Sequence, residues 1–289
     1  MQMNKYVIFT DSCCDLTPEM YEALGVRVLQ LDVIMEGEEP TPNDQLNIKE
    51  VYEKLRAKKS ARTAAVNMDR FYETFESAVQ EDMDVLYLGF SSGLSATYQA
   101  SRVAVEELCE KYPNRKLYAV DTLCASMGQG LLVYLAANLQ KKGADIETVR
   151  DYVENNKLNL CHWFTVDDLF FLKRGGRVSA ATAMVGTLLS IKPVLHVDNA
   201  GKLINVSKAR GRKASIDAMF EKMKATAIPG KNDVVFISHG DCAEDAEYLA
   251  ERVRNELGIK EIVINYIGPV IGSHSGPGTL ALFFLGTER

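Results

Sequence analysis

Residues 84–101 read DVLYLGFSSGLSATYQAS. The run DVLYLGF has the β-branched and aromatic content of a buried strand, and the pattern from Ser95 onward has helical spacing. Four hydroxyls, Ser91, Ser92, Ser95 and Thr97, crowd around Gly93 where strand gives way to helix. Such a junction supports three readings. A serine on a sharp strand-to-helix turn is the nucleophile of an α/β-hydrolase; hydroxyls beside the free N–H groups of a helix N-terminus hold an anion; and serine is a preferred N-cap with no chemistry attached. A strand running into a helix is also the repeating unit of an α/β fold, and the rest of the chain repeats it.

Upstream, YVIFT (6–10) and VRVLQLDVIM (26–35) read as strands, and KLYAV (116–120) reads as one downstream. Helical patterns lie between them at 47–57, where Asn47 is a cap with Glu50 three residues on, and at 67–80, 95–110 and 126–142. After Lys142 a charged helix reads as a connector, followed by the strand CHWFTV (161–166). The second half carries helical patterns at 167–173, 181–190 and 213–226 and strands near 192–197 and 203–208. Two further strands, DVVFIS (233–238) and EIVINYI (261–267), flank the amphipathic helix EDAEYLAERVRNEL. The fold class is α/β. A chain of 289 residues exceeds the usual size of one domain, and the division expected is 1–157 and 158–289.

Hydrophobic residues make up 47% and charged residues 25%, a globular balance, and the formal net charge of −6 gives no footprint for nucleic acid. No stretch approaches the ~18 apolar residues of a membrane span, so a cytoplasmic location is expected. The six cysteines show neither C-x-x-C spacing nor a neighbouring histidine cluster, so no zinc or redox motif is signalled and no metal site is expected.

Cofactor fingerprints are missing or out of context. Gly201-Lys202 and Gly230-Lys231 lack the earlier glycine and the following hydroxyl of a phosphate loop. Gly276 to Ala281 matches G-x-G-x-x-A, but a dinucleotide fold needs a helix, a strand and an acidic residue downstream, and the chain ends eight residues later. No cofactor is expected. Gly93-Leu94-Ser95-Ala96-Thr97 lacks the last glycine of a nucleophile elbow, although acidic residues and then His274 follow in hydrolase order. His274 sits in IGSHSGPG (271–278), which reads as a flexible loop of small residues able to approach a ligand, where an imidazole can hydrogen-bond a carboxylate. Thr63 reads as a loop threonine. Asp11-Ser12 and Asp121-Thr122 end strands, so polar residues gather at three strand C-termini, where open α/β sheets bind ligands. LKRGGRVS (172–179) and SKARGRK (207–213) place cations around glycines, suited to an anionic partner.

Taken together, SSGLSATYQA, VDTLCASMGQG, FTVDDLFFLKRGGRVS, KPVL with GKLINVSKARGRK, and GPVIGSHSGPGTLAL resemble the successive signatures of the DegV family across essentially the whole chain. The resemblance implies two α/β domains, an N-terminal one with a parallel sheet and a C-terminal one with a mixed sheet. It also implies a long-chain fatty acid in a tunnel at their junction. Such a protein is a carrier, not an enzyme, and presents the acyl carboxylate to a separate fatty-acid kinase for acyl-phosphate formation and phospholipid synthesis. Transient contact with a membrane surface goes with that role.

By the same resemblance, Thr63, His274 and a serine of the 91–95 loop bind the carboxylate, with Ser95 first and Ser92 second. Arg174, Arg177 and Arg210 fall on basic positions that orient the head group or meet the kinase. The chain departs from the family at Ser95-Ala96-Thr97, commonly Ser-Gly-Thr, and at Thr63-Ala64-Ala65-Val66, commonly Thr-Ser-Gln-Pro. The alternative function is a serine hydrolase acting on acyl esters or thioesters, and a sugar or dihydroxyacetone kinase-like protein shares the general domain style. Apolar stretches 131–139 and 181–191 are candidates for the tunnel lining.

Overall fold

The computed structural model describes residues 5–179 and 191–289. Its first half contains the strands β1 (Tyr6–Asp11), β2 (Arg27–Leu29), β3 (Asp32–Met35), β4 (Thr41–Pro42), β5 (Ala61–Ala64), β6 (Asp84–Gly89) and β7 (Leu117–Asp121). Four of them form a sheet in the order β2-β1-β6-β7, every pair parallel, with Val7 opposite Val85 and Val85 opposite Leu117. Parallel neighbours need crossovers, and the helical stretches supply them: Met68–Gln80 leads into β6 and Thr97–Lys111 joins β6 to β7.

The run 26–35 is two strands rather than one. Its first part pairs with β1, and its second turns into a small antiparallel sheet, β4-β3-β5. The change of sheet occurs at Gln30-Leu31, where the Leu31 amide donates to Ser12 Oγ at 2.9 Å instead of to a strand neighbour. Thr63 consequently stands on β5, opposite Val33, and not in a loop.

The second half contributes β8 (Leu160–Thr165), β9 (Ile191–Val197), β10 (Leu203–Arg210), β11 (Val234–His239), β12 (Glu261–Tyr266) and β13 (Leu280–Leu285). Their order is β10-β9-β8-β13-β11-β12, antiparallel except for the parallel pair of β11 and β12, so this sheet is mixed. The last strand, LALFFL, occupies an interior position and is buried along its whole length, although its sequence carries no alternation that marks it as a strand. His274 also departs from the sequence reading: it lies in the last turn of a short helix, Pro269–Ser275, with Pro269 in the first turn. The apolar stretch expected at 181–190 falls outside the described residues.

Helix Met127–Lys141 joins the two halves. Its core segment GLLVYLAANL is apolar nearly all round, the signature of a helix buried on most sides. Leu131, Leu132, Val133 and Ala136 belong to one core that includes Ile8, Leu86 and Leu88 of the parallel sheet and Phe236 and Phe283 of the mixed sheet. Stretch 131–139 is therefore shared core, not a cavity wall. The other face of the parallel sheet is covered by an aromatic cluster, with Phe9 and Phe75 ring centroids 5.2 Å apart and Phe71 and Tyr87 5.0 Å apart. Helices Arg212–Thr226 and Ala243–Leu257 cover the outer face of the mixed sheet.

Close approach of the shared helix to the mixed sheet depends on Gly128. A Cβ there would stand 2.2 Å from His162 Nε2 and 2.8 Å from Phe283 Cδ1. Gly128→Ala is expected to destabilise the protein by about 1–3 kcal/mol through overpacking. Urea unfolding should show the midpoint falling at constant m.

Candidate functional site

The carboxyl ends of the parallel strands are organised by two aspartates. Asp11 accepts hydrogen bonds from Tyr87 OH at 2.6 Å, from the amides of Phe90 and Cys13 at 2.9 and 3.0 Å, and from Gln129 Nε2 at 3.2 Å. Asp121 accepts from the amides of Ser92 at 3.2 Å and Leu123 at 3.0 Å. Both carboxylates therefore shape turns.

The 91–95 turn is docked onto the loop before β10. Ser91 Oγ donates to Gly201 O at 2.8 Å, and a Cβ on Gly93 would stand 2.6 Å from Ala200 O. Gly93 is small because two backbones meet there. Ser92 is exposed, and Ser95 is turned inward, its hydroxyl 2.9 Å from Thr97 Oγ1 and accepting from the Thr97 amide at 3.2 Å. Helix Thr97–Lys111 has Ala96 at its N-cap position and no side-chain cap, so Ser95 is not its N-cap, although its hydroxyl takes up the first helical amide, that of Thr97.

Ser95 lines a cavity of about 270 Å³ between the two halves. Its walls include Phe90 and Leu94 from the parallel-sheet side, Phe164 and Phe283 from the mixed sheet, and Val270 and Ile271 from helix Pro269–Ser275. Thr63, Arg177 and His274 line it too. Direct contacts make these polar groups one cluster. Thr63 Oγ1 and His274 Nε2 are 2.8 Å apart, and a Cβ on Gly175 would be 2.3 Å from His274 Nδ1. Arg177 donates through Nη1 to Gly175 O and through Nε to Leu94 O at 3.2 Å, next to Ser95.

Four of the expected site residues therefore converge, and three do not line the cavity. Ser92 faces outward, and Arg210 is exposed on β10. Arg174 is half-buried, its guanidinium 5.0 Å from the Phe171 ring centroid, with Nη2 buried and without a hydrogen-bond partner among the described residues.

Sequence reasoning did not find the apolar walls, nor Ser126 and His162, which also line the cavity. The usable signal was the two-residue period: His162 and Phe164 share one face of β8, and Ala281 and Phe283 one face of β13.

Electrostatically the polar end favours a negative charge. Burial, with the nearby Arg177 and Arg174 charges, lowers the His274 pKa to about 4, so the imidazole is neutral at pH 7. A neutral ring that donates from Nε2 to Thr63 leaves the threonine O–H free to donate in turn. Neither Arg174 nor Arg177 belongs to the arginine ion pairs formed among the described residues. Two guanidiniums and two hydroxyls beside an apolar cavity suit an amphiphile with an anionic head. Among the described residues no group of His, Cys, Asp and Glu is arranged to hold a metal ion.

The chain resembles known proteins along nearly its whole length. A family model described as "Uncharacterised protein, DegV family" matches residues 5–287. A DegV domain-containing protein of Clostridium perfringens is 49% identical over 289 residues, covering 99% of both chains. Among solved structures, a DegV family protein from Thermus thermophilus, described by its fatty acid binding, superposes with a TM-score of 0.87 at 29% identity and covers 98% of this chain and 99% of its own. DegV of Bacillus subtilis, described as a fatty acid binding protein, gives a TM-score of 0.85 at 28% identity, with 99% and 100% covered.

The lowered His274 pKa has a consequence for stability. Below its ordinary value of 6.5 the unfolded chain takes up a proton that the folded chain refuses until about pH 4, so stability falls as pH drops through that window. His274→Gln is expected to remove roughly 2 kcal/mol of the loss between pH 7 and pH 4.5. Urea unfolding at the two pH values measures it; an unchanged loss would mean that the folded imidazole titrates normally. His162, His196 and His239 have lowered pKa values as well, so the slope should shrink without vanishing.

Proposed function

We propose that this chain, which belongs to the DegV family, binds a long-chain fatty acid, with the tail in the cavity between the halves and the carboxylate at the Thr63–His274–Arg177–Ser95 cluster. The observation that carries this reading is that cluster: four polar side chains from separate parts of the chain meet at one largely apolar cavity. The fatty-acid-binding relatives from Thermus thermophilus and Bacillus subtilis support it. Each CH₂ of a buried tail contributes about 0.8 kcal/mol, and each charge-assisted hydrogen bond to the head about 1.5–3 kcal/mol. The tail accordingly supplies most of the affinity and the cluster fixes orientation.

The finer role is that of a carrier: the bound acid is handed, carboxylate first, to a separate fatty-acid kinase that forms the acyl phosphate. Arg174, whose charge acts on His274 and whose Nη2 has no hydrogen-bond partner among the described residues, receives the added negative charge on the head group in this reading, and Arg210 on β10 is a kinase contact. Phe170, 56% exposed and followed by Lys173 and Arg174, favours passing contact with an anionic membrane surface. Six free cysteines fit a cytoplasmic location. No helix among the described residues is long and apolar enough to cross a membrane. The domain division at 157/158 belongs to the same proposal, with the cavity between the two units.

A serine hydrolase reading has less support. Its nucleophile would need a base within hydrogen-bond reach. Among the described residues Ser95 Oγ bonds to Thr97, and His274 bonds to Thr63.

Mass spectrometry of an organic extract of the purified, folded protein should give a long-chain fatty acid in near-stoichiometric amount; an empty extract, with release of acid from an activated acyl ester, would replace the carrier reading by the hydrolase. Arg177→Gln and Thr63→Val should each weaken binding of the acid by about tenfold or more, judged from the strength of a charge-assisted bond. Displacement of a fluorescent fatty acid measures this, and the fatty alcohol of equal length should be affected much less. Equal losses for acid and alcohol would show that the two residues act through cavity shape and not through the carboxylate.

A further inference from the structure

Leu94 and Ser95 take their places at the cavity from the turn they belong to, and that turn is seated on two other segments. The Ser91 amide donates to Cys124 O at 3.0 Å, and Ser91 Oγ donates to Gly201 O at 2.8 Å. The Ser91 carbonyl in turn accepts from the amides of Leu94 at 3.0 Å and Ser95 at 3.2 Å. Ser91 is fully buried, so its seat sets the position of Ser95 and of the Leu94 carbonyl that accepts from Arg177 Nε.

One guanidinium holds both parts of the seat. Arg289 is half-buried and follows β13. Among the described residues it donates through Nη1 to Asp198 O at 3.2 Å, through Nη2 to Cys124 Sγ at 3.1 Å and Lys157 O at 2.8 Å, and through Nε to Leu160 O at 3.1 Å. Burial pushes the Cys124 thiol up to about 11, so the sulfur is protonated and all four acceptors are uncharged. An arginine set among carbonyls serves by its planar fork of donors, which a lysine lacks. Asp198 opens the turn between β9 and β10: its Oδ1 accepts from the amides of Ala200 and Lys202, each at 2.9 Å, and its carbonyl accepts from Gly201 at 2.9 Å. Ala200 and Gly201 are the residues against which Gly93 and Ser91 lie. Arg289 therefore joins the two segments on which the serine turn rests, gripping one by the Cys124 side chain and the other by the Asp198 carbonyl.

We propose that Arg289 is a positioning residue for head-group recognition: by tying the 198–201 turn to Cys124 it fixes the seat of the 91–95 turn, and through Leu94 the aim of Arg177. The inference rests on the fatty-acid reading of the cavity and adds to it a residue outside the cavity wall. Without Arg289 the four polar groups at the cavity are all present, but Leu94 and Ser95 stand on an unsecured turn. A general loosening of the fold weakens a charged and an uncharged ligand alike, whereas a displaced turn weakens the contacts of the carboxylate.

Displacement of a fluorescent fatty acid from the full chain by hexadecanoic acid and by hexadecanol tests this. The parent chain should prefer the acid. Arg289→Met should weaken the acid by about fivefold or more and the alcohol by less than about twofold, so that the preference shrinks. Arg289→Lys keeps the charge and the stem but not the fork and should lose the preference to a similar extent; it carries the test if the Met variant folds poorly. Ser91→Ala should weaken the acid as well, and the double variant with Arg289→Met should fall within about twofold of the weaker single one, because the two residues act in series. An acid preference unchanged in Arg289→Met or kept in full by lysine, equal losses for acid and alcohol, or losses that multiply in the double variant would overturn the proposal. A parent chain that binds acid and alcohol equally would instead overturn the carboxylate reading, and this inference with it.

Discussion

The end of β1 is held by one buried carboxylate, and the site depends on it. Asp11 collects the Tyr87 hydroxyl, the Phe90 and Cys13 amides and the Gln129 amide group, so a single side chain joins β1, the end of β6, the turn after β1 and the helix shared by both sheets. A carboxylate has lone pairs for about four such bonds, and with all of them made, its burial is tolerable. Phe90, fixed in this way, is both the last residue before the serine turn and part of the cavity wall. The polar knot is therefore what lets a hydrophobic cavity open where the strands end.

The same economy explains which parts of the molecule the sequence makes legible. Alternation of β-branched runs with helical spacing announces a parallel sheet, because each strand of 84–90 type is buried on both faces and each crossover helix is amphipathic. It does not announce β13, since LALFFL is apolar at every position and has no period to read. Nor does it announce β5, where Ala61–Ala64 is a strand only because β3 lies beside it. The split of 26–35 turns on one hydrogen bond, from Leu31 N to Ser12 Oγ, between residues 19 apart, and no local pattern encodes such a contact.

Site residues follow a similar division. Ser95 and Arg177 stand in turns whose glycines and hydroxyls are visible as unusual composition, whereas Thr63 sits in an unremarkable stretch and gains its meaning only from His274, 211 positions away. His274 itself was legible as a residue among small neighbours, but the reason for those neighbours differs from a loop's need for freedom. A Cβ on Gly272 would stand 2.7 Å from Tyr52 OH, and one on Gly276 2.5 Å from Phe171, so the glycines let a short helix sink between the halves. Burial of that helix is what strips the imidazole of its proton.

That last step ties fold to chemistry. A protonated His274 would be one more cation beside Arg174 and Arg177, and the desolvated cluster would carry a larger uncompensated charge whenever the cavity lacked an anion. Holding the ring neutral confines the positive charge to guanidiniums that can be partly screened at the cavity edge, and leaves the imidazole to orient the Thr63 hydroxyl. Arg177 meets the cost of its own half-burial through the carbonyls of Leu94 and Gly175. In the proposed binding mode an anionic head gains donors already aimed by the fold, which lowers the ordering cost set against the tail's hydrophobic contribution.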